Sequence, residues 1–292
     1  MKHQRSGYIC QPTTGILKTV LPFAGLTTFI LAWFFVTDAK VINPNFLPSP
    51  MVTLDAFLGM FHDAPARFPD PHTGVLVAVN PGFDSLAHSS AIQGMMASVT
   101  RIATAVWRAC LIGIPIGIAM GAFGEIESFF AFLIPPMRNA PITAFIALFM
   151  VIFGISEELK INFLTFGTLV YIIPTTLDAI RNVEAATIDN AVDFGFKKLA
   201  ILWYFVIPEA LPRIYAGVRI CTGIAWTYLA AAESVNITNG LGAISENARR
   251  VQNTPKVYAA IILIIILGVL TDYLFRVAQN VFPILKTESE EV

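Results

Sequence analysis

The residues that could do chemistry in this chain are few, and they lie inside segments apolar enough to enter lipid. Arg108, Arg219 and Glu233 each interrupt a long apolar run. Charge at such positions is costly and marks either a transport pathway or a paired structural site. Two readings stand for Arg108, which has Trp107 beside it: it neutralises an anionic solute, or it pairs with Glu233 or Asp272. Arg219 lies about two turns from one end of its run, close enough to snorkel to the interface and also placed to line a pathway. Glu233, at the opposite end of the same run, suits a stabilising role at a gate. With Trp226 between them, Arg108, Arg219, Trp226 and Glu233 form the set of pathway candidates.

No constellation supports an enzyme. The chain has no G-x-x-x-x-G-K-[ST] phosphate loop, no H-E-x-x-H and no G-x-S-x-G, so it lacks the residues that would cradle ATP or build a hydrolytic site. Cys10, Cys110 and Cys221 are far apart, and two of them fall in apolar runs; they read as small buried hydrophobes. His3, His62, His72 and His88 make no metal-ligand spacing. No metal or cofactor is expected on this chain, and ATP would have to be bound by partner subunits.

The elements that must position the pathway candidates are membrane helices. Of 292 residues, 55% are hydrophobic and 13% are charged, against about 25% charge in a soluble domain. Lys plus Arg is 19 and Asp plus Glu is 20, which leaves no basic footprint for nucleic acid. Residues 19–37 carry no charge and, at 1.5 Å per residue, nearly cross a hydrocarbon core of ~30 Å; they are read as a retained anchor helix after a polar segment, 1–18. A polar connection, 38–95, opens with NPNFLPSP, allows a short amphipathic helix over Met51–Phe61, and turns helical again from Pro81. Further spans are predicted at about 99–121, 134–156, 161–180, 213–233 and 257–278. In the second, Gly113, Gly117 and Gly121 recur every four residues, so one face can approach a neighbouring helix closely; Pro115 is expected to kink it. The third starts irregularly at IPPMRNAPI (134–142), and a short turn, GISEELK (154–160), follows it. The fold class is therefore all-α: a polytopic membrane protein of six helices, with a five-helix core over 96–281 and a short acidic tail, 282–292.

One charged stretch stands out between the fourth and fifth spans: EAATIDNAVDFGFKKLAILWYFVIPEALP (184–212). Over 188–199 a short helix would place Ile188, Ala191, Val192 and Leu199 on one stripe, with Asp189, Asp193, Lys197 and Lys198 largely off it. Gly195 permits a left-handed turn or a close backbone approach. Such a segment could lie on the membrane surface, or it could be a rigid plug gripped by another protein. Six spans put both termini on one side. If that side is the cytoplasm, Lys2, Arg5, Lys18, Arg138, Arg181, Lys197, Lys198, Arg213, Arg276 and Lys286 lie inside, against Lys40, Arg67, Arg101, Lys160, Arg249, Arg250 and Lys256 outside. The excess favours this orientation and places the 181–212 loop in the cytoplasm.

Counting within that loop brings out a resemblance. Gly195 and Pro208 have the spacing of the "EAA" loop of importer-type ABC transporter permeases, and Ile207–Pro208 is similar to its apolar-Pro ending. Six residues before Gly195 stands Asp189, so the motif acid is assigned to Asp189, and the literal Glu184-Ala185-Ala186 is out of register. Other stretches resemble the nitrate, sulfonate, taurine and bicarbonate branch of MetI-like permeases: FLPSP (46–50), SVTRIATAVWRACLIGIPIGIAMG (98–121), FGISEELKI (153–161), GVRICTGIAWTYLAAAES (217–234) and Gly240-Leu241-Gly242. The insertion over 62–95 is longer than usual for that branch.

The resemblance implies a permease subunit of an ATP-driven importer in a bacterial inner membrane, with both termini cytoplasmic. It also implies two cytoplasmic ATPase subunits gripping the loop, a periplasmic or lipid-anchored solute-binding protein, and a second copy of the permease forming a homodimer in the lipid bilayer. On this reading Asp189, Ala191, Asp193, Gly195, Phe196, Lys197, Lys198 and Pro208 are the coupling residues. The solute is expected to be a small anion such as nitrate, bicarbonate, taurine or an alkanesulfonate. The competing expectation is a self-sufficient secondary transporter or channel; against it stands the lack of inverted repeats with paired acidic residues at mid-membrane.

Overall fold

The computed structural model describes residues 16–62, 68–69, 76–77, 89–235 and 239–285. The chain is helical: α1 (Ile16–Asp38), α2 (Pro50–His62), α3 (Ser90–Ala122), α4 (Gly124–Phe130), α5 (Ile134–Asn139), a 3-10 turn (Ile142–Phe145), α6 (Ile146–Phe153), α7 (Glu157–Arg181), α8 (Ala185–Asp193), α9 (Lys198–Ile201), a wide π turn (Leu202–Val206), α10 (Ile207–Ser234), α11 (Leu241–Arg250) and α12 (Thr254–Val281). Phe68–Pro69 and Leu76–Val77 form a two-residue antiparallel pair. The rest of the 62–95 insertion up to Ser89, the helix expected from Pro81, and most of both terminal segments lie outside the described residues.

Among the described residues, four continuous helices are long and apolar enough to cross a membrane: Ser90–Ala122, Glu157–Arg181, Lys198–Ser234 and Thr254–Val281. Shorter apolar helices run over Phe23–Asp38 and Ile142–Phe153. Local chemistry sets several boundaries. Ser89 caps α3 through Ile92 N–H, Ser156 caps α7 through Leu159 N–H, and Asn253 caps α12 through Lys256 N–H. Glu157 and Glu158 in the first turn of α7 and Arg181 in its last suit the helix dipole. The cap at Ser156 starts this span at Glu157 rather than Ile161.

Two further spans differ from expectation. The predicted third span is not one helix. Ala140 is extended before Pro141, and Gly154 takes φ +64° after Phe153, so only Ile142–Phe153 is left as an apolar helical piece. Twelve residues rise about 18 Å at 1.5 Å each, short of a full crossing. The fifth span starts earlier than 213: helix is continuous from Lys198 through Pro208 and Pro212. A proline has no N–H to give the preceding turn, and the π turn immediately before Ile207 takes up that irregularity.

The glycine repeat in α3 does what its spacing predicts. A Cβ at Gly113 would meet Ile172 Cγ2 at 2.8 Å, one at Gly117 would meet Thr176 Cβ at 2.6 Å, and one at Gly121 would meet Ile180 Cγ2 at 2.6 Å. The α3 and α7 backbones therefore touch along a seam of two turns, and Gly217 of α10 packs in the same way onto Thr175. Around this seam lies the central core of Ile102, Ala105, Ile142, Phe163, Leu164, Val170, Ala225, Trp226, Leu229 and Ala232. By contrast α1 meets the bundle chiefly at one end. Trp33 stacks on Tyr258 and donates its indole N–H to Pro48 O at 3.1 Å, while Phe23, Phe29 and Phe35 are exposed.

Candidate functional site

The charged stretch after α7 folds as a short helix with a glycine stop. Glu184, the first residue of the literal EAA, precedes α8, and its backbone N–H donates to Glu209 Oε1 at 2.9 Å. Asn182 O accepts from Arg213. These two links tie the start of the loop to the start of α10. Ala191 is fully buried against Ala179, Ile180, Val183, Ile201, Val206, Ala210 and Ile214, so α8 is held to the bundle by its least bulky face.

The helix ends in a Schellman motif. Phe196 N–H reaches back to Ala191 O at 3.1 Å, Gly195 N–H reaches Val192 O at 2.8 Å, and Gly195 has φ +78°. Nothing lies within 4 Å of where a Gly195 Cβ would be. Of the two roles open to this glycine, the left-handed turn is therefore the one it performs. The turn also corrects the helix expected over 188–199. That helix stops at Asp193 and Leu199 belongs to α9, so the apolar stripe is broken. Ala191 is buried while Ile188, Val192 and Leu199 are exposed.

What the loop presents is a mixed surface. Asp189, Asp193, Lys197 and Lys198 are exposed, as are Gly195 and Pro208. Phe196 is partly exposed and stacks edge-on against Phe205, ring centres 5.1 Å apart. Phe194 is 81% exposed, and sequence reasoning missed it. Its signal was the repeat Phe-Gly-Phe across a turn glycine, which sets two aromatic rings beside four charges. Large apolar groups at a rigid, charged tip have the composition of a protein contact.

The pathway candidates do not converge on one point. Arg108 pairs with Glu158 Oε2 at 3.0 Å and donates to Asn162 Oδ1 at 3.1 Å. Neither Glu233 nor Asp272 is its partner, because α3 packs chiefly on α7, whose first turns supply those groups. Arg219 Nε donates to Asp272 Oδ1 at 2.5 Å and joins α10 to α12. Trp226 is buried in the central core, and its indole nitrogen has no hydrogen-bond partner among the described residues. Glu233 is fully buried and receives Arg101 Nη1 at 2.6 Å, Ser98 Oγ at 2.8 Å and Gly242 N–H at 2.7 Å. Arg101 was counted only as a basic residue of a loop side. No periodicity in α3 marks it as the buried partner of Glu233.

A family described as "Binding-protein-dependent transport system inner membrane component" matches residues 113–280, more than half of the chain, and the chain belongs to it. The "Taurine transport system permease protein TauC" of Escherichia coli (strain K12) is 30% identical over 263 residues, 90% of this chain and 88% of that one. The "Bicarbonate transport system permease protein CmpB" of Synechococcus elongatus is 26% identical over 268 residues, 90% and 87% of the two chains. The fold is that of a solved chain from the MetNI methionine ABC transporter in an inward facing conformation, with TM-score 0.59 and 19% identity, covering 65% of this chain and 95% of that one. This protein is accordingly a membrane permease subunit of an ABC importer with a MetI-like fold.

Proposed function

We propose that this chain moves a small sulfonate or another small oxyanion inward, as one of two copies around a shared path. Separate ATPase subunits drive it from the cytoplasm, and a solute-binding protein delivers the solute from outside. Both termini and the Gly195 turn lie on the cytoplasmic side. The chain itself hydrolyses no ATP, which fits a sequence without a phosphate loop.

The observation that carries this reading is the Gly195 turn. A helix held by Ala191 and stopped by a left-handed glycine presents Phe194, Phe196 and four charges as a fixed tip. A fixed tip transmits motion to the helices it is tied to, here α7 through Asn182 and α10 through Glu209 and Arg213. The solute class is supported by the relatives named for taurine and bicarbonate. Arg108 adds nothing to it, because its charge is balanced by Glu158.

The test is uptake of labelled taurine and bicarbonate into proteoliposomes holding this chain with its co-purifying ATPase and binding protein. ATP-dependent uptake is expected only with all three components. Ion-driven flux through this chain alone would overturn the reading.

A further inference from the structure

The Arg101 cluster at the Glu233 end is not used by the import reading, yet every donor of its guanidinium is paired. A guanidinium has five N–H donors, and those of Arg101 meet five acceptors. Nε reaches Glu157 Oε2 at 2.7 Å and Nη2 reaches Glu157 Oε1 at 2.8 Å. Nη1 reaches Glu233 Oε1 at 2.6 Å and Asn239 O at 3.1 Å, and Asn239 Oδ1 takes the last. Lys160, fully buried, adds a bond to Glu157 at 2.9 Å. Glu233 in turn holds Gly242 N–H, and Ser98 Oγ accepts from Leu241 N–H at 3.0 Å. One arginine on α3 thereby joins α7, α10 and the backbone leading into α11.

We infer that Arg101 is a positioning residue for the import cycle: it welds the Glu233 ends of α3, α7, α10 and α11 into a single rigid body. The inference rests on the import reading for its functional meaning. Two positive groups, Arg101 and Lys160, face two carboxylates, Glu157 and Glu233, so the cluster is balanced. Moving α10 away from α3 would leave Glu233, which solvent does not reach, without its counter-charge, and a buried charge stripped of its partner is strongly unfavourable; moving α11 away would take the Gly242 N–H from Glu233 and the Asn239 carbonyl from Arg101. Packing closes the same joint. A Cβ at Gly94 would stand 2.8 Å from Ile244 Cδ1, and one at Gly242 would stand 2.8 Å from Ala230 Cα. A load on α11 therefore enters α3 and α7 together. The glycine seam carries it towards Ile180 and Val183, which pack with Ala191 of α8. Motion of this kind is rigid-body rotation, not sliding of α11 over the bundle.

The test is a bridge across the joint in the full reconstituted transporter. With Cys10, Cys110 and Cys221 replaced, Gly94→Cys and Ile244→Cys are joined as a disulfide by an added mild oxidant, which takes up the two electrons and two protons the thiols lose, and ATP-dependent taurine uptake is followed. Uptake is expected to survive bridging. Arg101→Gln is expected to lower uptake about tenfold or more through the stranded Glu233, and bridging is expected to restore much of it. A merely destabilised fold would be rescued equally by a disulfide placed away from this joint. Loss of uptake on bridging alone, full uptake in Arg101→Gln, or no rescue would each overturn the weld. If Arg101→Gln does not insert, the bridge in the otherwise unsubstituted chain decides. If the unsubstituted transporter takes up no taurine, that counts against taurine as its solute, and amide exchange decides on the weld. Exchange at Leu241 and Gly242 should quicken in Arg101→Lys, and unchanged exchange would contradict it.

Discussion

At the Glu233 end, Arg101, Lys160 and Glu233 are buried and their charges are matched. At the Gly195 end, Asp189, Asp193, Lys197 and Lys198 all stand exposed around two phenylalanines. Both ends are charged, both join several helices, and they do so by different physics. Buried charge fixes geometry because breaking it is expensive. Exposed charge contributes little to stability and is free to meet a partner. Substitutions should therefore separate: at one end they cost the fold, at the other they cost coupling and leave the fold alone.

The largest expected effect is at the buried end. Glu233→Gln leaves Arg101 short of its counter-charge and should destabilise the chain by about 3–5 kcal/mol, read as a fall in unfolding temperature in detergent. Gly117→Leu comes next. Its side chain would drive into Thr176 and the Ile173 carbonyl, which lies 2.8 Å from the Cβ position, so a cost of about 1–3 kcal/mol or more is expected. A wild-type melting curve for either variant would break the comparison.

At the other end the effects on stability shrink while those on transport do not. Gly195→Ala must hold a side chain at φ +78°, a strain of about 1–2 kcal/mol; Gly195→Asn should recover part of it, since asparagine tolerates that region. Phe194→Ser should leave the melting curve unmoved and abolish stimulation of the partner ATPase. The smallest effect concerns α11. Hydrogen bonds from Arg249 and then Arg250 hold the Glu246 carboxyl at about 2. A depressed carboxylate contributes its stability above the ordinary carboxylate range and loses it as pH falls through about 2. Glu246 should accordingly stay ionised at pH 4 in a carboxyl titration, and Arg249→Ala with Arg250→Ala should return it to the ordinary range.

How much of this was legible in the sequence follows the same division. The helical class came from runs of uncharged residues, and the close-approach face of α3 came from glycines four apart, because both are local and periodic; that α7 is what packs there came from the fold. The Gly195 turn was legible because a left-handed turn needs glycine, whereas Pro208 was picked out by the spacing of the family motif and lies within continuous helix. Side-chain pairing was not legible. Arg101 and Glu233 are 132 positions apart, and nothing in either segment says which of several arginines Glu233 meets. Arg108 was left between an anionic solute and two distant carboxylates, Glu233 and Asp272, whereas the fold brings it to Glu158, beside the non-helical break at Gly154. That break also shortened the third span. Pro141 and Gly154 were visible as helix breakers, but how little helix survives between them depends on the bundle.

The most direct test of the central claim compares two exposed residues at opposite ends, Phe194 and Val251, in membrane vesicles holding the assembled transporter. Each is changed to cysteine in a chain without other cysteines and treated with a short thiol-to-amine cross-linker. The account predicts a cross-linked species containing the nucleotide-binding subunit from Phe194→Cys and none from Val251→Cys. Cross-linking to that subunit from Val251→Cys, with none from Phe194→Cys, would contradict it.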